Sequence, residues 1–330
     1  MKREKKQPEN DKKVTEWASK KEVVKTSFPI YFTLLLMKNL PKFLTDFIVL
    51  CVAFFFYVFN KNARQECKRF QKQLKNYKPD AIKKISPYKQ ISAFAITFVE
   101  KMECWVKPKP TVKLTFCDDD VQELIDHLNS GKGAMLLVSH LGNAEIFRNL
   151  ANNNDIYLNR EIPISVLMDL DSTSHFTNTL KKVNPEFVQN IIDINHINPG
   201  TIDILSETIE QGGLVVCAAD RVSKYNENKT VKCSFLGKEA SWPYGVYLIP
   251  MLLKSPVYYI SGYRTRDVAF DRKYEFHVKK SSIDTNCKRN IRETNIQKLC
   301  FEYVQELEEH CIKHPFQWFN FYDFWKNSQE

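Results

Sequence analysis

The pattern of apolar and polar positions changes character along the chain, and the changes divide it. Met1 to Lys25 is polar and lysine-rich, without the apolar core and small residues that mark an export signal. From Phe28 the chain turns apolar, first as FPIYFTLLLM and then, past a polar break at Lys38 to Lys42, as the unbroken run Phe47 to Phe59. That run has 13 residues, fewer than the ~20 a helix needs to cross a bilayer. An interfacial or partly inserted helix hairpin is the preferred reading, with a core helix and a true spanning helix as the alternatives.

Further on the period alternates. Asp118 to Asp120 offer cap and first-turn carboxylates to a helix whose apolar positions Val121, Leu124, Ile125 and Leu128 fall on one face, and Ser130 with Gly131 should end it. Ala134 to Val138, AMLLV, has the length and composition of a buried strand. Similar runs lie at Ile164 to Leu167, Val188 to Ile194, Leu214 to Ala218 and Val257 to Ser261, with helical stretches at Ile202 to Ile209 and Ile296 to Cys311. This alternation predicts an α/β fold, a mostly buried sheet flanked by helices, carrying an apolar helical appendage at its N-terminal side. The expected divisions are a polar tail over 1–27, a membrane-associating helical region over 28–95 and the α/β domain over 96–330.

Composition fits a globular protein: 330 residues, 43% hydrophobic, are enough to bury a full core. Nine cysteines without a CxxC pair or a histidine cluster at ligand spacing predict reduced thiols and no metal. The net charge of +9 is uneven, with ten Lys and Arg between Lys61 and Lys89 against Glu66 and Asp80. A solvated helix face explains such a run, but its place beside the apolar segment suits an anionic membrane surface or an acidic carrier protein. No recognised nucleic-acid-binding helix, finger or stacking motif accompanies the charge, so nucleic acid is not the expected partner.

The strand AMLLV runs into SHLGNAEIFR, in which His140 is followed by Glu145. By spacing alone about one such pair arises by chance in a chain of this composition. The context adds weight, because ligands of α/β sheets bind at the carboxyl ends of strands and Gly142 with Asn143 suits a tight turn. The plain alternative is a histidine that caps the next helix or satisfies a loop carbonyl.

SHLGNAE resembles the His, four residues, acid motif of the lysophospholipid acyltransferase superfamily, most closely its lipid A late acyltransferase branch. Three further stretches are similar in order and spacing: GGLVVCAADR ending at Arg221, FLGKEASWPYG from Phe235 to Gly245, and HPFQWFNFYDFW from His314 to Trp325. The resemblance runs from about Lys101 to Trp325, and more loosely back to Trp17. Two departures bear on substrate identity: Arg221 stands where the lipid A enzymes usually carry Gln, and the Phe-Pro-Glu-Gly-Thr block of the phospholipid enzymes is absent.

The resemblance implies a glycerolphosphate-acyltransferase-like fold and O-acyl transfer from acyl carrier protein, or acyl coenzyme A, to a lipid or glycolipid hydroxyl. The site would lie at the cytoplasmic face of the inner membrane, and no cofactor is implied. His140 would be the general base, with Glu145 holding its tautomer. Gly142, Asn143, Arg148, Asp220, Arg221 and Gly237 are the expected substrate-binding residues. Plain readings compete: a turn for Gly142 and Asn143, a surface charge for Arg148, and an Asp220–Arg221 ion pair. The aromatic tail reads better as a segment docked on the core than as an acyl groove. A thioesterase on the same fold and a noncatalytic membrane adaptor are the alternative functions.

Overall fold

The computed structural model describes residues 33–35, 37, 39–106, 112–117, 120–143, 158–171, 173, 177–179, 190–223, 229–267 and 272–326. Its centre is a seven-stranded sheet in the order β1-β9-β8-β2-β5-β3-β4. The strands are β1 (Lys113–Phe116), β2 (Ala134–Gly142), β3 (Ile164–Met168), β4 (Ile191–Asp193), β5 (Leu214–Ala218), β8 (Val257–Arg264) and β9 (Lys273–Lys280). A separate antiparallel hairpin is formed by β6 (Thr230–Phe235) and β7 (Lys238–Pro243). Every neighbouring pair of the main sheet is parallel except β8 and β9. The mixed, buried α/β sheet expected from the apolar runs is therefore present.

Pleating sends alternate residues of each strand to opposite faces. On one face Leu137, Val215 and Cys217 join a core with Leu205 of the helix Pro199–Glu210 (α5), Ile249 of Tyr244–Leu253 (α6) and Leu299 of Arg292–Lys313 (α7). On the other, Leu136, Val138 and Phe276 pack on Val121, Leu124 and Leu128 of Asp120–Asn129 (α4), which ends before Ser130 and Gly131 as its pattern predicts. Asp118 and Asp119 lie outside the described residues.

Three helices precede the sheet: α1 (Lys42–Phe59), α2 (Lys61–Tyr77) and α3 (Pro87–Val106). α3 runs through position 95, so the boundary drawn there falls inside an element. α1 has 18 residues and is long and apolar enough to cross a membrane. It is inside-out relative to a helix of a water-soluble protein: Thr45 and Asp46 are buried while Phe43, Phe47, Phe54, Phe55 and Phe59 are exposed. Arg272, at the start of β9, anchors Asp46 at 2.5 Å and Glu103 of α3 at 3.1 Å. α2 buries Phe70 and Leu74 against the domain and turns Lys61, Lys68, Arg69 and Lys72 to solvent. The basic run is thus a charged helix face beside an exposed aromatic one.

Candidate active site

β2 and β5 pair in parallel register, Val138 opposite Ala218, so the residues just past each strand emerge at the same end of the sheet. His140 and Asp220 meet there. The His140 Nδ1 lies 2.7 Å from Asp220 Oδ1, and the His140 backbone N–H donates to Oδ2 at 2.8 Å. The register of β2 against β8 shifts between Val138 and Gly142, an irregularity of the kind that re-aims a side chain at a strand end.

Gly142 completes the turn. Its φ is +64°, and a Cβ there would stand 2.1 Å from the carbonyl oxygen of Gly262 on β8, so no larger residue fits. Asn143 is fully buried, and its backbone N–H donates to that same carbonyl at 2.6 Å.

Electrostatics set the protonation states. Burial penalises the Asp220 charge, yet the His140 ring, Arg221 and the donated hydrogen bonds outweigh it and hold the carboxyl well below its ordinary range. An ionised Asp220 accepts, so Nδ1 carries the proton and Nε2 keeps its lone pair. Burial and the Arg221 cation lower the His140 pKa below the ordinary 6.5, with Asp220 opposing both. The imidazole is therefore neutral at neutral pH, with a carboxylate in place to stabilise the imidazolium once a proton is taken.

His140, 31% exposed at its side chain, lines a cavity of about 580 Å³. On the sheet the cavity is lined by Leu136, Val138, Val166, Val216 and Ala218, and on the helices by Ile202 of α5 and Leu252 of α6. Its polar end carries Lys101, Asp169, Asn195, Arg221 and Ser223. A volume of hundreds of Å³, mostly apolar with a few convergent polar groups, is what a ligand site requires. The Arg221 Nη2 donates to the carbonyl of Phe319 at 3.0 Å, and burial lowers the guanidinium's pKa against the pull of Asp220, Tyr322 and Asp169.

Of the residues singled out in the sequence, His140, Gly142, Asn143, Asp220 and Arg221 come together. Glu145 and Arg148 lie outside the described residues. Among the described residues, the carboxylate on His140 Nδ1 is that of Asp220. Gly237 is elsewhere, in the two-residue turn of the β6–β7 hairpin, with φ +76° and the ring of Tyr77 beside it, and it does not line the cavity.

The aromatic tail proves to be docked: Phe316, Trp318, Phe319, Phe324 and Trp325 are buried. It also reaches the site, through a Trp318 Nε1–H that donates to Asp220 Oδ2 at 3.0 Å, a role that sequence reasoning missed. Asp323, unassigned from sequence, pairs with Arg69 of α2 at 2.8 Å. Away from the site, pairing of β1 with β9 brings donor atoms of Cys117, Glu275 and His277 within 4.8 Å of one another, a grouping not visible in the sequence. Structural zinc takes four such ligands, and the described residues supply three.

No curated protein matches the chain. A family model described as bacterial lipid A biosynthesis acyltransferase matches residues 16–327, nearly the whole sequence, so the chain belongs to that family and is an acyltransferase.

Proposed function

We propose that this protein moves a fatty acyl chain from an acyl carrier protein thioester, or from acyl coenzyme A, to a hydroxyl of a lipid A-like or other envelope lipid, at the cytoplasmic face of the inner membrane. The observation that carries the reading is the His140–Asp220 pair opening on an apolar cavity at the carboxyl end of β2. A thioester is already activated, so the protein has only to take the acceptor's proton and stabilise the oxyanion. His140 Nε2 takes that proton and returns it to the leaving thiolate, while Asp220 keeps the ring in place and steadies the imidazolium. Transfer is direct, without an acyl-enzyme.

Arg221, beside His140 in the cavity, supplies a cation for the developing oxyanion or for a phosphate of either substrate. The apolar face along Val138, Val166 and Val216 receives the acyl chain. Gly142 and Asn143 do not line the cavity; they form the turn that holds the end of β2 against Gly262. The exposed aromatic face of α1 and the basic face of α2 suit an anionic lipid surface, and the basic face equally suits an acidic carrier protein.

The test is transfer of a labelled acyl group from acyl carrier protein into a total membrane lipid extract, comparing the intact protein with His140→Ala at equal membrane recovery. A labelled lipid that vanishes with His140→Ala supports the reading, and mass spectrometry then names the acceptor. Label appearing only as free fatty acid points to a thioesterase. Label moved by neither protein, from this donor or from acyl coenzyme A, sinks the assignment.

A further inference from the structure

The tail segment Gln317–Phe319 lies antiparallel to the end of β2. Leu141 bridges to Trp318, the Gly142 N–H donates to the Gln317 carbonyl at 2.8 Å, and the Phe319 N–H donates to the His140 carbonyl at 2.9 Å. Trp318 is 1% exposed, with the rings of Phe70, Phe235 and Phe324 at 4.9, 5.2 and 5.0 Å. Such a nest accounts for an aromatic ring but not for an indole N–H aimed at a buried carboxylate. The seat is fixed from behind as well. Gln90 of α3 donates to the Trp318 carbonyl at 2.7 Å, and Gln71 of α2 donates to Gln90 at 2.9 Å, both glutamines fully buried.

Asp220 Oδ2 therefore accepts from two donors fixed to different parts of the fold, the His140 backbone N–H and the Trp318 indole. Two such bonds on one oxygen set the rotation of the carboxyl plane and direct Oδ1 to the His140 Nδ1. Indole suits the task because it is a donor only and never competes for the ring proton. We propose that Trp318 is a positioning residue for acyl transfer: its indole N–H locks the Asp220 carboxylate so that His140 presents Nε2 to the cavity. The proposal rests on the acyl-transfer reading for its kinetic consequence but not for its geometric one.

The charged and titratable groups around the pair are Arg221 and Lys101 on the side of His140, and Tyr303, Tyr322, Cys217 and Cys311 on the side of Asp220. Removing the indole donor leaves Asp220 a stronger acceptor, which favours the imidazolium and moves the His140 titration to higher pH.

The experiment uses the full chain in a lipid-mimetic micelle with ¹⁵N-histidine, the His140 ring signals being identified by their loss in His140→Ala. Trp318→Phe is compared with the wild type. If Trp318→Phe does not fold, benzothienylalanine placed at position 318 by codon suppression puts sulfur in place of the N–H within a ring of nearly the same shape. Phe235→Leu serves as a control that loosens the same aromatic nest without touching Asp220.

Loss of the N–H should shift the His140 Nδ1–H signal, raise its titration midpoint and lower kcat about tenfold or more with KM within twofold. Phe235→Leu should lower Tm and leave the His140 signal in place. An unmoved signal and titration with the isosteric variant would overturn the proposal, whatever kcat does. A wild type that moves no acyl group while the signal still shifts removes the acyl-transfer reading and leaves the positioning role standing.

Discussion

On the β8–β9 side of the same sheet, beginning one strand away from His140, a second group of histidines surrounds Tyr263. His277 stacks on its ring at 5.1 Å, His314 lies against it at 4.0 Å, and His310 Nδ1 meets its hydroxyl at 3.1 Å. Burial lowers the pKa of His310 to about 3 and of His314 to about 4, with Lys313 and neighbouring histidines adding to the effect. Burial lowers His140 as well. The two regions differ in partner and in opening. The groups bearing most on His310 are other histidines and lysines, and neither His310 nor His314 lines the cavity, whereas His140 has a carboxylate at 2.7 Å and a cavity in front of it. A depressed histidine pKa by itself marks packing. A depressed histidine pKa with an ionised carboxylate behind it and space ahead is the arrangement that a general base requires.

Substitution at His140 tests this contrast hardest. His140→Ala should lower kcat by about 10²–10⁴-fold without loss of folded protein, measured by acyl transfer at matched circular dichroism. Asp220→Asn should cost about a hundredfold or more, because an amide offers no charge to the imidazolium and can hold the wrong tautomer. Removing Asp220 also removes the group that raises the His140 pKa. The wild-type acid limb of kcat/KM should therefore lie below pH 6.5, and the residual activity of Asp220→Asn should titrate lower still.

The second cluster supplies the smaller effects. The folded-state values of His310 and His314 lie below the unfolded 6.5, so between them the unfolded chain binds more protons. Their contribution to stability is complete above about pH 6.5 and is lost as pH falls through 4 toward 3, with a slope of at most about 1.4 kcal/mol per pH unit for each group. Denaturant melts across pH 4–7 should show that decline. His310→Phe should flatten it and keep kcat per folded molecule within twofold. Loss of transfer in that variant, with folding intact, would erase the distinction between the regions.

Legibility in the sequence followed locality. Leu214 to Ala218 forms the strand its apolar run predicts, and Ala134 to Val138 continues to Gly142, because strands buried on both faces advertise themselves as short apolar runs. β9, KYEFHVKK, sits between two strands yet ends in charge, and β1 is only four residues long, so neither stood out. The β6–β7 hairpin turns on Leu236–Gly237, both at positive φ, where an Asn-Gly pair would have announced the turn. Leu236 is buried there, its N–H bound to Glu308 and its carbonyl to Gln73.

The motif singled out His140 as a candidate. The partner on Nδ1 was not legible, because Asp220 is 80 residues away and meets it only through the parallel pairing of β2 with β5. Two apolar runs of equal length, each succeeded two residues later by a titratable side chain, carried the signal in retrospect. Trp318, 98 residues beyond Asp220, carried none.

The strand that carries His140 is finished by residues synthesised long after it. At about 5–20 residues per second, roughly ten to thirty seconds separate His140 from Phe319 on the ribosome. The aromatic face of α1 emerges before either. When α1 has left the ribosome, the end of β2 still lacks the backbone partners that Gln317 and Phe319 supply. On the acyl-transfer reading proposed above, order of synthesis puts attachment to a lipid surface ahead of reactivity.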